Sequence, residues 1–247
     1  MASSSIKVLD NVDELLGFLG AHGPRTVPDI ARSVSVPRSS VYRLVDAAEH
    51  VGLVRTGDDG RVGLAIEMLS LAATAARQNP LVVAAAPILR ELRDLLGQSV
   101  YLCVRRGDEI VCLLLFQGLS IGLMELLPGG TLPPYAGATA RVIVANDPEL
   151  LASPAAVPSR RLTAATMGTH DELRADVHLV RERGYALSDG DVTPGVAALG
   201  VHVRDDTGAL LGAISVAGVR DEIMGAFDRS LEALRTASER ISAAYRP

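Results

Sequence analysis

The sequence predicts an α+β chain in two parts: a small helical bundle closed by a hairpin, then helices packed around an antiparallel sheet. Three observations point there. Up to residue 53, apolar residues recur at helical spacing, broken only by short polar turns. A Gly57-Asp58-Asp59-Gly60 turn then separates two short runs of β-forming residues. Beyond Pro80, apolar runs joined by hairpin-length turns alternate with helical stretches, which favours helices on the faces of a hairpin-connected sheet.

Composition sets the outer limits. A chain of 247 residues is long enough for two ordinary domains, and 48% apolar with 21% charged residues is a globular balance. Aromatic residues make up 3% and Trp is absent, so Ala, Val and Leu must fill the core. No apolar run reaches the roughly 18 residues of a spanning helix, and the first residues lack the apolar stretch of a signal peptide. The expectation is a cytoplasmic protein without a membrane partner. Two cysteines make no disulfide framework. The net charge of −5 argues against a nucleic-acid partner, and residues 1–65 hold seven Lys and Arg against eight Asp and Glu. A DNA-binding role must therefore rest on local charge placement.

The elements divide the chain into residues 1–64, a connecting helix over 65–79, and residues 80–247. The first helix runs from about Val8 to Leu19, with Leu9, Val12, Leu15, Leu16 and Leu19 at helical spacing. Thr26 caps a short second helix, with Asp29 three residues on, as in a capping box. After the turn Ser33-Val34-Ser35-Val36, Pro37 opens a third helix at a position where its missing N–H costs nothing. Val41, Leu44, Val45 and Ala48 form its inner stripe. Arg38, Ser39, Tyr42, Arg43 and Asp46 lie opposite. Two short helices joined by a tight turn, the second with a cationic outer face, are a helix-turn-helix, and the hairpin over Leu53–Leu64 is its wing. Residues 36–45 carry Arg38 and Arg43 and no acid, and Arg55 and Arg61 flank the wing turn. Arg38, Ser39, Ser40, Tyr42 and Arg43 are the residues expected to meet bases and phosphates, with Arg55 and Arg61 on the backbone. The Ala-rich run Leu64–Arg77 places Leu64, Met68, Leu71, Ala72 and Ala75 on one face, as a dimer seam or a packed connector would.

In the second part, Pro87–Leu96 reads as an amphipathic helix stopped by Gly97. Ser99–Arg105 and Glu109–Phe116 read as a hairpin around Gly107-Asp108, and Ile121–Leu127 as a further strand. The hairpin arithmetic sets Cys103 opposite Cys112. A redox switch is one reading of that pair; two small buried apolar residues are the plainer one. Ala136–Ala145 is a helix that begins with the small residues Gly137, Ala138 and Thr139, so a ligand could approach free N–H groups at its start. Asp171–Arg183 is a helix, Val196–Val203 and Leu210–Val216 are buried strands, and Ile223–Tyr245 is a long closing helix.

Several stretches together resemble the IclR family of regulators. The first is Val36-Pro37-Arg38-Ser39-Ser40-Val41-Tyr42-Arg43-Leu44, followed by Gly52-Leu53-Val54. The others are Leu132–Arg141, Thr163 with Thr166, Arg181–Ala186 leading into the acidic loop at Asp189, and Gly208–Gly218. The resemblance implies a winged helix-turn-helix, a linker helix and a GAF-like effector-binding domain. It also implies homodimers, in places tetramers, on palindromic double-stranded operators, answering to small organic effectors. Tyr135 stands where the family usually has His, and Ala140-Arg141 where it has Gly-Lys. An acidic residue, a cysteine and two serines commonly line the family's ligand; the matching positions here are Ser188, Ala198, Ser215 and Ala217. Three of the four have lost the usual group, which points to a larger or more apolar effector, or to none. With Tyr135, Gly137, Ala138, Thr139 and Asp189, these residues form the expected effector site.

Other chemistry finds little footing. His170 and His178 are about two helical turns apart, roughly 12 Å of rise, too far to share a metal ion. No phosphate loop, nicotinamide fingerprint or Gly-x-Ser-x-Gly elbow occurs. Asp189-Gly190-Asp191 offers two carboxylates in a loop that reads as a solvated turn. No metal, cofactor or catalytic residue is expected. The rival to a regulator is a ligand-binding module or an enzyme on the second domain, without operator-specific DNA binding.

Overall fold

The computed structural model describes residues 6–119 and 126–247. Contacts divide the chain between Gln78 and Asn79 into two compact units. The expected connecting segment is thus split, its helix belonging to the first unit.

The first unit runs α1 (Lys7–His22), β1 (Arg25–Thr26), α2 (Val27–Ser33), α3 (Arg38–His50), β2 (Val54–Thr56), β3 (Arg61–Leu64) and α4 (Met68–Gln78). Leu15 and Leu19 of α1, Ile30 of α2, and Val41, Leu44 and Val45 of α3 meet in one core with Val54 and Val62 of the hairpin. The Thr26 side chain accepts from the Asp29 N–H and donates to its carboxylate at 2.6 Å. This cap differs from a full capping box, because the carboxylate takes the hydroxyl and not a backbone N–H. Pro37 is the N-cap of α3 and not its first residue. β1 is an addition: Arg25 and Thr26 pair with Val62 and Arg61. A two-residue strand has too little pattern to be read in advance. α4 begins at Met68 and buries none of its residues.

The second unit runs α5 (Pro80–Leu96), β4 (Ser99–Arg106), β5 (Glu109–Phe116), β6 (Thr131–Leu132), α6 (Ala138–Asn146), α7 (Pro148–Ala152), α8 (His170–Arg183), β7 (Ala186–Asp189), β8 (Val196–Arg204), β9 (Leu210–Val219), α9 (Arg220–Gly225) and α10 (Phe227–Ala244). The strands form one antiparallel sheet in the order β6-β5-β4-β9-β8-β7. Alternation along each strand splits the side chains between two cores. Val100, Leu102, Leu199, Val201, Ile214 and Val216 face α5 and α10. Tyr101, Cys103, Ala198 and Ala217 face α6 and α8. At Gly200 on this second face, an added Cβ would lie 3.0 Å from the Ala138 backbone, so glycine lets α6 lie close on β8.

Three boundaries move. α5 starts at Pro80, seven residues before the expected start, with the Asn79 side chain accepting from the Leu81 and Val82 N–H groups. Pro87 lies inside the helix. The bond that its missing N–H would have made is to Val83, an exposed residue, so water can serve that carbonyl. The closing helix is broken at Ala226, after Gly225, into α9 and α10. The strand expected at Ile121–Leu127 falls mainly outside the described residues, and Leu126 and Leu127 are not in a strand. The partner of β5 is β6, through Ile110–Leu132 and Val111–Thr131.

Candidate functional site

In the first unit the outer face of α3 is exposed at Arg38, Ser39, Ser40, Tyr42 and Arg43. The inner stripe locks the helix against α1 and α2, so this face cannot turn away from solvent. The start of α3 has no side-chain cap; the Ser40 and Val41 N–H groups reach back to the Pro37 carbonyl, and those of Arg38 and Ser39 lie before the first helical bonds. Among the described residues Arg38 and Arg43 have no ion pair, whereas the other arginines of α2 and the wing do. Arg32 pairs with Asp29, Arg55 with Glu67 at 2.9 Å, and Arg61 lies 3.6 Å from Asp59. These pairs are exposed and worth little, so either wing arginine can exchange its acid for a phosphate. The register Arg55–Gly63 and Thr56–Val62 puts Arg55 and Arg61 on the hairpin face opposite buried Val54 and Val62. Glu49 of α3 accepts from the Thr56 N–H at 2.9 Å and its hydroxyl at 2.8 Å, tying the wing to the helix. Those bonds hold its carboxyl below the ordinary range, the backbone bond foremost.

In the second unit a cavity of about 60 Å³ lies between the sheet and the start of α6. Seven of the nine residues expected at the effector site line it. Gly137, Ala138 and Thr139 come from the α6 start, and Ser188, Ala198, Ser215 and Ala217 from β7, β8 and β9. Tyr101, Leu126, Leu132, Val192, Thr193 and Val196 also line it and were not foreseen. The pairings Tyr101–Ser215, Ala217–Ala198 and Ala198–Ser188 carry this wall across four strands, and such long-range register is not written in any local window.

Two expected residues lie elsewhere. Tyr135 is buried, but its hydroxyl donates to the Arg160 carbonyl at 3.1 Å and accepts from the Arg160 N–H at 3.2 Å. It lines an outer cleft, not the cavity. Asp189 alternates to the face away from Ser188, where Arg220 of α9 holds it at 2.7 and 2.9 Å. The buried acid is Asp191, at 3% exposure, in a loop that reads from sequence as solvated. Asp191 accepts from the Gly137 N–H at 3.1 Å and from the Ser188 hydroxyl. Thr166 and Thr163 donate to the carbonyls of Asp191 and Gly190, each at 2.6 Å, and so hold that loop in place. Arg141 binds both carboxylate oxygens of Asp176, donates to the Leu187 carbonyl at 2.7 Å, and lies 3.5 Å from Asp191. The acid behind the cavity wall is therefore anchored from two sides.

Gly137 has a φ of 83°, and a Cβ there would come within 2.9 Å of Leu132 and 3.3 Å of Val192. Glycine is needed both for the backbone and for the side chains that close over the cavity. Cys103 and Cys112 are direct cross-strand partners beside a bulge, both buried and both free. The hydrogen bond that Cys112 shares with Cys103, and then burial, push the Cys112 thiol up. His170 bonds the Leu151 carbonyl at 3.1 Å, and His178 lies on the surface beside Glu182.

Comparison with known proteins follows the same division. Residues 8–58 match the IclR helix-turn-helix domain, and residues 73–243 match the C-terminal domain of the bacterial transcriptional regulator IclR. The chain belongs to the IclR family of bacterial transcriptional regulators. IclR relatives include the Pca regulon regulatory protein of Pseudomonas putida, 24% identical over 77% of this chain. The regulator KdgR of Dickeya chrysanthemi is 25% identical over 87% of it. The chain spans 66% of the first relative's length and 70% of the second's. An IclR regulator structure from Alicyclobacillus acidocaldarius superposes with a TM-score of 0.85 at 22% identity, covering 97% of this chain and 99% of that one. An IclR homologue from Microbacterium hydrocarbonoxydans, complexed with 4-hydroxybenzoate, gives 0.80 at 23% identity over 96% and 98%. At these identities the likeness establishes the IclR fold: a helix-turn-helix unit followed by helices on a curled antiparallel sheet.

Proposed function

We propose that this chain binds a specific operator through α3 and its wing, and that a small organic molecule in the cavity of the second unit controls that binding. The observation that carries the reading is the outer face of α3, where Arg38 and Arg43 stand exposed, without acid partners among the described residues, while the opposite stripe is locked in the core. Arg38, Ser39, Ser40, Tyr42 and Arg43 read the major groove. Arg55 and Arg61 hold phosphates, positioning without specifying. The overall charge of −5 makes this local placement necessary, because the chain as a whole repels DNA.

The chain acts as a homodimer, with tetramers as a further assembly, on a palindromic operator in the cytoplasm. Supporting this, α4 buries none of its residues within the chain, and Ile66, Leu69 and Leu71 beside or within it are more than 60% exposed. Apolar surface on that scale is commonly covered by a partner. The effector must bind one arrangement of the dimer better than another, or nothing switches. The role of the second unit is binding rather than catalysis: its buried acid is committed to the Gly137 N–H and to Ser188.

The test is a gel shift of the purified chain with its own upstream intergenic DNA, in the presence of excess unrelated competitor. A shift that survives the competitor supports operator binding. A shift that competitor abolishes overturns operator specificity, and the second unit then stands as the functional part.

A further inference from the structure

Resting on the reading of the cavity as the effector site, we propose that its ligand is uncharged and slender. A hydrogen-bond-accepting head sits against Tyr101 and the start of α6, and an apolar body passes Leu126, Leu132 and Val192 into the outer cleft.

Charge decides the head. Among the described residues, no Lys, Arg, His, Asp or Glu lines the cavity. A helix start by itself draws an anion, but this one already holds the carboxylate of Asp191, bonded to the Gly137 N–H directly behind the wall. Arg141, which lies 3.5 Å from Asp191, is engaged by Asp176 and the Leu187 carbonyl. A ligand carboxylate would bring a second negative charge to a site where, among the described residues, no free cation stands to meet it. The wall does offer a donor. Tyr101 is 3% exposed, it lines the cavity, and its hydroxyl has no hydrogen-bond partner among the described residues. A buried hydroxyl left unmade is costly, so a ligand oxygen there gains what folding leaves unsatisfied. Burial also pushes the phenol upward, which keeps it a donor at neutral pH.

Size decides the body. About 60 Å³ is small beside the roughly 300–1,000 Å³ that ligand sites commonly span. The outer cleft, floored in part by Tyr135, has about 810 Å³. Leu126, Leu132 and Val192 line both spaces. They are apolar and tied by no side-chain hydrogen bond, so a change of rotamer joins the two without breaking a polar contact. The joined space fits a small acceptor head inside and a chain outside.

The test uses the full-length chain, calorimetry at neutral pH, and two matched probe series: methyl ketones from butanone to nonanone, and carboxylates of equal chain length. The ketones should bind, tightening roughly three- to fourfold per added methylene. The carboxylates should bind at least about tenfold more weakly. Tyr101→Phe should weaken every ketone about five- to tenfold. Val192→Phe should erase the gain with chain length; circular dichroism confirms that both variants are folded. Carboxylates that match the ketones overturn the uncharged head, as does a Tyr101→Phe chain with unchanged affinity. Affinity independent of chain length overturns the passage to the cleft, and failure of both series overturns the ligand class. An operator gel shift with saturating nonanone separates this proposal from the reading beneath it. Ketone binding that leaves operator affinity untouched would sink effector control while the ligand class stands.

Discussion

Arg141 shows how much one buried side chain organises. It is nearly enclosed, as is its partner Asp176, and the pair lies beside the acid that braces the cavity wall. Removing one member of a buried ion pair leaves the other charge uncompensated, typically costing about 3–5 kcal/mol. Arg141→Ala should therefore lower unfolding stability by about that amount in a urea titration, and a loss below about 1 kcal/mol would show that the pair is solvated in practice. At the DNA face the expectations differ by residue. Arg43→Ala should weaken operator binding about tenfold or more, with little effect on unrelated DNA. Arg61→Ala should weaken binding to all sequences alike and reduce the salt slope by about one. Parallel titrations against operator and random duplex at several salt concentrations check both. The exposed α3 residues were legible in the sequence because helical period alone separates inside from outside. Asp191 was not: Asp-Gly-Asp is a turn by every local rule, and it takes the hydroxyls of Thr163 and Thr166, from 25 or more residues away, and the Gly137 N–H to hold the loop inward.

Caps and clamps set the elements. Asn79 starts α5 by accepting two N–H groups, so Asn79→Ala should cost about 1 kcal/mol in thermal or chemical unfolding. The sequence places a boundary at Asn79-Pro80 for the right local reason, the restriction before proline, but Pro87 then competes as a helix start. What decides between them is the buried stripe Leu81, Ala85, Ile88 and Leu92, which only the sheet beneath makes necessary. Glu49 clamps the wing to α3, and its folded-state pKa is depressed. The sign follows directly: the clamp is fully present above the ordinary carboxyl value of 4.5 and is lost as pH falls through the lowered folded value. Amide exchange at Thr56, corrected for intrinsic rate, should rise on acidification and should be fast at neutral pH in Glu49→Gln. An unchanged Thr56 amide in that variant would mean the hairpin holds itself.

For the whole molecule, separation into two units with an exposed helix at the end of the first frames the assembly. If α4 pairs copies of the chain, Leu71→Glu should shift sedimentation toward the monomer and weaken operator binding, because half-sites are then engaged singly. A variant that sediments as the parent does would place the interface elsewhere. The sequence by itself determined the α+β class, the three-helix head with its wing, and the outward face of α3. It also located the cross-strand pair Cys103 and Cys112. All of these follow from short-range periodicity, turn chemistry and hairpin arithmetic, which a window of ten or fifteen residues contains. Only the tertiary structure decided which of the proposed effector residues face the cavity. It turned Asp189 outward to Arg220, sent Tyr135 to the outer cleft, and brought in Tyr101, Leu126 and Val192. The physical reason is that a cavity wall is built from the register of non-adjacent strands and the seating of α6 on Gly200, and these long-range choices are made by burial of the whole sheet.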